Sequence, residues 1–284
     1  MKLEYGEQIS PSPIKLTIGT LVKRTLRDVA DILSFQTFAY YQALLKLTPQ
    51  EFYCKWSDEE DKKFWNDLTA EEKVKLNMFD VIVKNDILIN QYLEIFNFFF
   101  EECVLFCESY FVLLNKKYKA TIDVNNRIVD ENKILEILGN NENDLSGAIN
   151  GNNFSEVVSI IGQMCGILED EESEEPKFKN EFQKKWYYEN YVKAKEKALK
   201  ESGAKDKVNL NLTLPNLISA VASKHPSLNY LNIWDLTIYQ FLDTFNRVQA
   251  NAIYDINAHQ ISVWGDEDKK FNFELWFKNS YDKK

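Results

Sequence analysis

The spacing of apolar and polar residues changes character early in the chain. Ile14-Lys15-Leu16-Thr17-Ile18 alternates, Gly19-Thr20 turns and Leu21-Val22-Lys23 resumes, a pattern that predicts a short β-hairpin. Thr25-Leu26-Arg27-Asp28 follows, with a hydroxyl and an acid at the spacing of a capping box. Behind it Val29, Ile32, Leu33, Phe38, Tyr41, Leu44 and Leu45 recur roughly at helical spacing, so one helix is expected up to Thr48-Pro49. Ser57-Asp58-Glu59-Glu60 and Thr69-Ala70-Glu71-Glu72 signal two more helix starts.

The apolar stretch from Ile87 to Phe100 is long enough to predict a helix. Beyond it, Val104-Leu105-Phe106 and Tyr110-Phe111-Val112-Leu113-Leu114 flank Glu108-Ser109 as hairpin strands would. Tyr118-Lys119-Ala120-Thr121-Ile122 is a candidate third strand, although runs this short fit strand and helix alike. A short helix is expected over Asp130–Leu138, a polar Asn/Gly loop over Gly139–Asn153, and a helix over Phe154–Leu168 capped by Asn153 or Ser155. Glu169 to Glu175, ending at Pro176, is an acidic run of the kind that links domains. A Lys- and Glu-rich helix follows from about Lys179 to Ser202, closed by Gly203. Pro215 opens another, which stops at His225-Pro226. A last helix starts near Asn232 or Asp235 and runs to about Ile256, with Leu236, Tyr239, Phe241, Leu242, Phe245, Val248 and Ile253 on its face.

Together these elements predict a mainly α fold with a small β-element (α+β). It is an irregular helical bundle with a short N-terminal β-hairpin, and mid-chain strands are an open reading. The acidic run divides the expected organisation into an N-terminal α+β domain (1–168), a linker (169–177) and a C-terminal helical domain (178–284). An aromatic tail, with Trp264, Phe271, Phe273, Trp276 and Phe277, is expected to dock on the body.

Composition supports helices, with 9 glycines and 6 prolines in 284 residues. The net charge of −10 repels phosphate backbones and argues against a nucleic-acid partner. Lys193, Lys195, Lys197, Lys200, Lys205 and Lys207 interleave with Glu196, Glu201 and Asp206, which reads as a solvated helix face. Glu94, Glu101, Glu102 and Glu108 break the Ile87–Leu114 stretch, so it is expected to be core and not a membrane span. Four cysteines and no apolar leader fit a reducing cytoplasm.

Candidate chemistry is sparse. Cys103 and Cys107 have the spacing that would align two thiols on a helix, but His225 and His259 do not complete a tetrahedral set, so no metal is expected. Neither a GxSxG elbow nor a phosphate loop occurs. The acid groups Glu101-Glu102 and Asp58-Glu59-Glu60 read as solvated faces, which leaves no catalytic centre and no cofactor in the expectation. The positive signal is aromatic: 14% of the chain is Phe, Trp or Tyr. Most of these rings are expected to fill the core. Trp186, Tyr187 and Tyr191 are in surplus on a charged helix and are the candidate contact residues there, with Phe245, Trp264 and Trp276 in the C-terminal unit.

The segment Asn232-Ile233-Trp234-Asp235-Leu236-Thr237-Ile238-Tyr239-Gln240-Phe241-Leu242-Asp243-Thr244-Phe245-Asn246-Arg247 resembles small proteins of the tail gene module of phages infecting Gram-positive bacteria. Their pattern is a Leu-Thr-aromatic-Gln helix with a downstream Phe-x-Arg, then a Gly- and Trp-containing tail, here Val263-Trp264-Gly265 through Leu275-Trp276-Phe277. The likeness takes in about the last 70 residues and, more loosely, the first 50, where the β-element leads into Thr25-Leu26-Arg27-Asp28. It implies an assembly chaperone or minor structural component that holds other tail proteins, such as the tape measure or a tube component, in the host cytoplasm or within the virion. A host protein as partner, and self-association into a homo-oligomer, are compatible with it. The alternative is a phage-encoded acidic protein that inhibits or triggers a host defence system, with the run Glu169–Glu175 as its local support.

Overall fold

The structure, a computed structural model, describes residues 1–123, 126–139, 141–167, 178–203, 209–266 and 271–278. A short helix, α1 (Tyr5–Ile9), precedes the expected hairpin, in which β1 (Ile14–Leu16) pairs antiparallel with β2 (Gly19–Leu21). The capping box forms: Thr25 Oγ1 accepts from the Asp28 N–H at 3.1 Å, and the Asp28 carboxylate accepts from the Thr25 N–H at 2.8 Å. The single helix expected behind it is two, α2 (Leu26–Ile32) and α3 (Phe35–Leu45). Ser34 makes the break, because its hydroxyl accepts from the Thr37 N–H and caps a new helix in place of continuing the old one.

The next elements are α4 (Pro49–Glu51), which runs into a π-helical turn over Phe52–Trp56, then α5 (Glu59–Asp67), α6 (Ala70–Lys75), α7 (Met78–Ile82) and α8 (Asp86–Phe99). Asp58 and Thr69 cap α5 and α6 at the expected starts. At the far end of α8, the carbonyls of Phe98 and Phe100 accept from Arg24 Nε and Lys119 Nζ, so two cations meet the negative pole of the helix.

The mid-chain hairpin is present as β3 (Cys103–Cys107) and β4 (Tyr110–Leu114). It belongs to a sheet of order β5-β3-β4-β6, where β5 (Ile128–Val129) runs parallel to β3 and β6 (Leu145–Ile149) antiparallel to β4; α9 (Glu131–Leu138) lies between them in sequence. Two expectations are corrected here. The Tyr118–Ile122 strand is instead a 3₁₀ turn over Lys116–Ala120, capped by Asn115. The Asn/Gly loop over Gly139–Asn153 contains β6, because a glycine in it serves close approach: a Cβ on Gly147 would lie 2.7 Å from Ile18 Cα. Gly147 lets the β1–β2 turn lie directly on β6.

Alternation along β3 and β4 then builds two cores. Val104, Phe106, Phe111 and Leu113 face the large core formed with α8, α10 (Phe154–Met164) and α3. Cys103, Leu105, Cys107, Val112 and Leu114 face Ile134 and Leu138 of α9. A sheet covered on both sides explains why these strands read as continuous apolar runs. Aromatic rings dominate the larger core, where Phe96 meets Phe111 edge-on at 5.0 Å and Tyr92 meets Phe154 at 5.4 Å.

The C-terminal half supplies α11 (Glu181–Gly203), α12 (Leu214–Lys224) and α13 (Ile238–Trp264). The last helix runs past the expected end at Ile256, and α10 ends at Met164, short of the expected Leu168, with Gly166 at φ +70° just beyond it. Contacts cross the expected domain boundary. Leu26 of α2 shares a core with Leu217, Ile218, Val221, Ile233 and Phe241, while the Leu26 N–H donates to the Leu236 carbonyl and the Ile238 N–H to that of Arg24, each at 3.0 Å. The fold is α+β, as expected. The proposed linker 169–177 lies outside the described residues. Among the described residues no helix is long and apolar enough to cross a membrane.

Candidate partner-contact surfaces

Helix α11 is the first surface, and its two sides differ. Tyr188 and Val192, four residues apart, are buried against the body. Polar contacts reinforce that side: Lys184 Nζ pairs with Glu71 at 2.8 Å, Gln50 Nε2 donates to the Val192 carbonyl at 3.0 Å, and Trp65 Nε1 donates to Glu196 at 3.2 Å. Hydrogen bonds from Lys184 and Lys75 hold the Glu71 carboxyl down at about 2. Tyr187 and Tyr191 stack at 6.0 Å and are half-buried, with Phe178 5.3 Å from Tyr187. Two of the candidate contact residues therefore stiffen α11 more than they present a surface.

The opposite side carries Trp186, 62% exposed, and Phe182, 77% exposed. They stand four residues apart on one face of the helix, away from Tyr188. Phe182 is absent from the sequence-based set, although its spacing from Trp186 was the signal that could have found it.

The C-terminal unit is the second surface. Thr237 and Gln240 form a capping box at the start of α13, so the Leu-Thr-x-x-Gln pattern has a structural role. The Phe-x-Arg element does as well: Arg247 Nε pairs with Asp243 at 3.1 Å, and its Nη2 donates to the Tyr5 hydroxyl at 3.0 Å. Gln240 Nε2 donates to the Ile9 carbonyl, so this end of α13 is tied to the N-terminal residues. Phe245 is half-buried beside the core that Phe241 fills. Beyond Asp243 no described residue of α13 is fully buried.

In the described part of the tail, Phe271 meets Tyr254 of α13 at 5.4 Å. Trp264 (80%), Phe273, Trp276 and Phe277 are exposed. Phe271 thus packs on the last helix, while Trp264, Phe273, Trp276 and Phe277 keep about half or more of their surface in water.

The remaining candidates have structural partners. Glu102 accepts from the Thr20 N–H through both oxygens, while Glu101 pairs with Lys116 at 2.6 Å, so the two carboxylates serve different elements. Asp58 caps α5 and Glu59 pairs with Lys62. Cys103 and Cys107 do share a face, of a strand and not a helix, and burial pushes both thiols up. His225 Nδ1 accepts from the Ser227 and Leu228 N–H groups at the end of α12, and His259 is exposed on α13. Among the described residues no group of three or more His, Cys, Asp or Glu could hold a metal ion.

Residues 203–281, which take in α12, α13 and the tail but not the body of α11, match the family model described as the YomV second domain. YomV is a protein of the Bacillus phage SPbeta region. The match points to a phage origin. It leaves residues 1–202 uncovered, and no curated protein and no solved structure matches the chain.

Proposed function

We propose that the chain is a phage or prophage tail-module protein that acts through protein–protein contacts, as an assembly chaperone or minor structural component. The carrying observation is the pair Phe182 and Trp186, two large rings held in water on a helix whose other side is fixed to the body. Exposed aromatics on a pre-ordered helix lose little conformational entropy when a partner covers them, which is what contact hot spots require. The likeness of residues 203–281 to the YomV second domain supports the phage setting, and the tail-module resemblance of Asn232–Arg247 supports the narrower role. In the host cytoplasm such a protein would cover apolar surfaces of an unassembled tail component, and its net charge of −10 would keep the complex soluble.

The test is co-expression with tape-measure and tube proteins from the same phage or prophage genome. One of them is expected to co-purify with the chain, with affinity reduced at least about tenfold, or 1.4 kcal/mol, in the Phe182→Ala/Trp186→Ala variant. Purification of the chain free of every tail-module protein overturns the reading.

A further inference from the structure

The distal part of α13 presents a long solvent-facing surface with almost no charge. Between Arg247 and Asp266 the only charged side chain is Asp255, in a protein with 27% charged residues. Along this part of the helix Asn246, just before Arg247, and then Gln249, Ile253, Ile256, Gln260 and Val263 are all exposed. Their spacing alternates three and four, the a and d positions of a heptad, so they form one seam along a segment roughly 28 Å long at about 1.5 Å per residue. Asp255 lies on the other side of the helix, and Tyr254, which Phe271 of the tail meets, is off the seam.

We propose that this seam is a self-association surface, and that its occupant is the α13 seam of a second copy of the chain, packed antiparallel. Charge selects the occupant. A partner recognised by ion pairs would find nothing to pair with on this face, whereas two copies, each at −10, repel least where neither presents charge. The acidic bodies select the direction, since parallel seams would set them side by side, and the order of residues is compatible with it. When the two seams run oppositely, Ile253 meets Ile256, Gln249 meets Gln260 and Asn246 meets Val263, each an a position against a d position. The apolar layers fall at the centre, and each glutamine amide finds a second amide that both donates and accepts. The pairing is isologous, so it closes at two copies, and it holds the two acidic bodies at opposite ends of the helix pair.

Sedimentation of the purified full chain, with no tail protein present, reads the result independently of the proposed function. The expectation is twice the 33.3 kDa chain mass in the micromolar range. The Ile253→Glu/Ile256→Glu variant, whose side chains already face solvent, is expected to keep the same circular dichroism and to sediment as a monomer. Trp186→Ala should remain a dimer. For direction, Gln249→Cys mixed with Gln260→Cys should form a disulfide-linked dimer that neither forms alone. A monomeric parent chain, a dimer that survives Ile253→Glu/Ile256→Glu, or cross-linking of either cysteine variant with itself overturns the proposal.

Discussion

Glu108 is the first of the two residues that join β3 to β4, and its φ of 52° lies in the left-handed region. That conformation brings Cβ too near the following carbonyl in any residue except glycine, while glycine also loses more chain entropy on folding. Replacing Glu108 by Gly is expected to stabilise the protein by about 0.5–1 kcal/mol, read as a rise in the thermal midpoint. Asn97 works in the opposite sense. Its amide donates to the Leu93 and Val104 carbonyls, and its Oδ1 accepts from the Val104 N–H at 3.0 Å, all within the core. Asn97→Leu should destabilise by about 1–3 kcal/mol for each of the two Val104 groups left unpaired, measured by chemical denaturation. An amide in the middle of an apolar helix has no sequence signal for this task, because its partner lies on a strand that is reached only after the chain has turned.

At the level of elements, local chemistry was legible and pairing was not. Thr25, Thr69 and Asp130 cap helices where their spacing predicts, since a cap needs only the next three residues. The Phe154 helix and the Glu108-Ser109 hairpin were visible for the same reason. Strand β6 was hidden, because Leu145-Ser146-Gly147-Ala148-Ile149 gains its strand character from β4 and from the hairpin turn resting on Gly147. Ser34 splits a helix that apolar periodicity alone carries straight through. For the contact surface, sequence identified Trp186 but not Phe182. It could not separate the outward rings from Tyr187 and Tyr191, because only the docking of α11 on α6 decides which side is wet. That docking depends on pH. The Glu71 carboxyl titrates at about 2 in the folded protein and near 4.5 when free, so its contribution is complete above pH 4.5 and is lost as pH falls toward 2. Amide protection factors in α11, with exchange corrected for the intrinsic rate at each pH, should fall over that window, and Glu71→Gln should show the lowered protection already at neutral pH.

For the molecule as a whole, the two surfaces are set up for separate tasks. Phe182→Ala/Trp186→Ala should leave stability within about 0.5 kcal/mol while weakening partner capture, because both rings face water. The charged α11 and the uncharged distal α13 differ in a way that composition averages conceal: −10 over 284 residues says nothing of a helix that carries a single acid between Arg247 and Asp266.

The bridge between Thr25 and Thr237 also bears on when this part of the protein can fold as it is made. Arg27 and its partner Asp235 are 208 residues apart, and Leu26 waits equally long for Ile233 and Phe241 to cover it. On the ribosome, α2 therefore emerges early with one side bare and stays so until most of the chain has been translated. A transcript truncated before Leu236 would release a product with that side open, and such a product should be cleared or aggregate rather than persist as a shortened working copy.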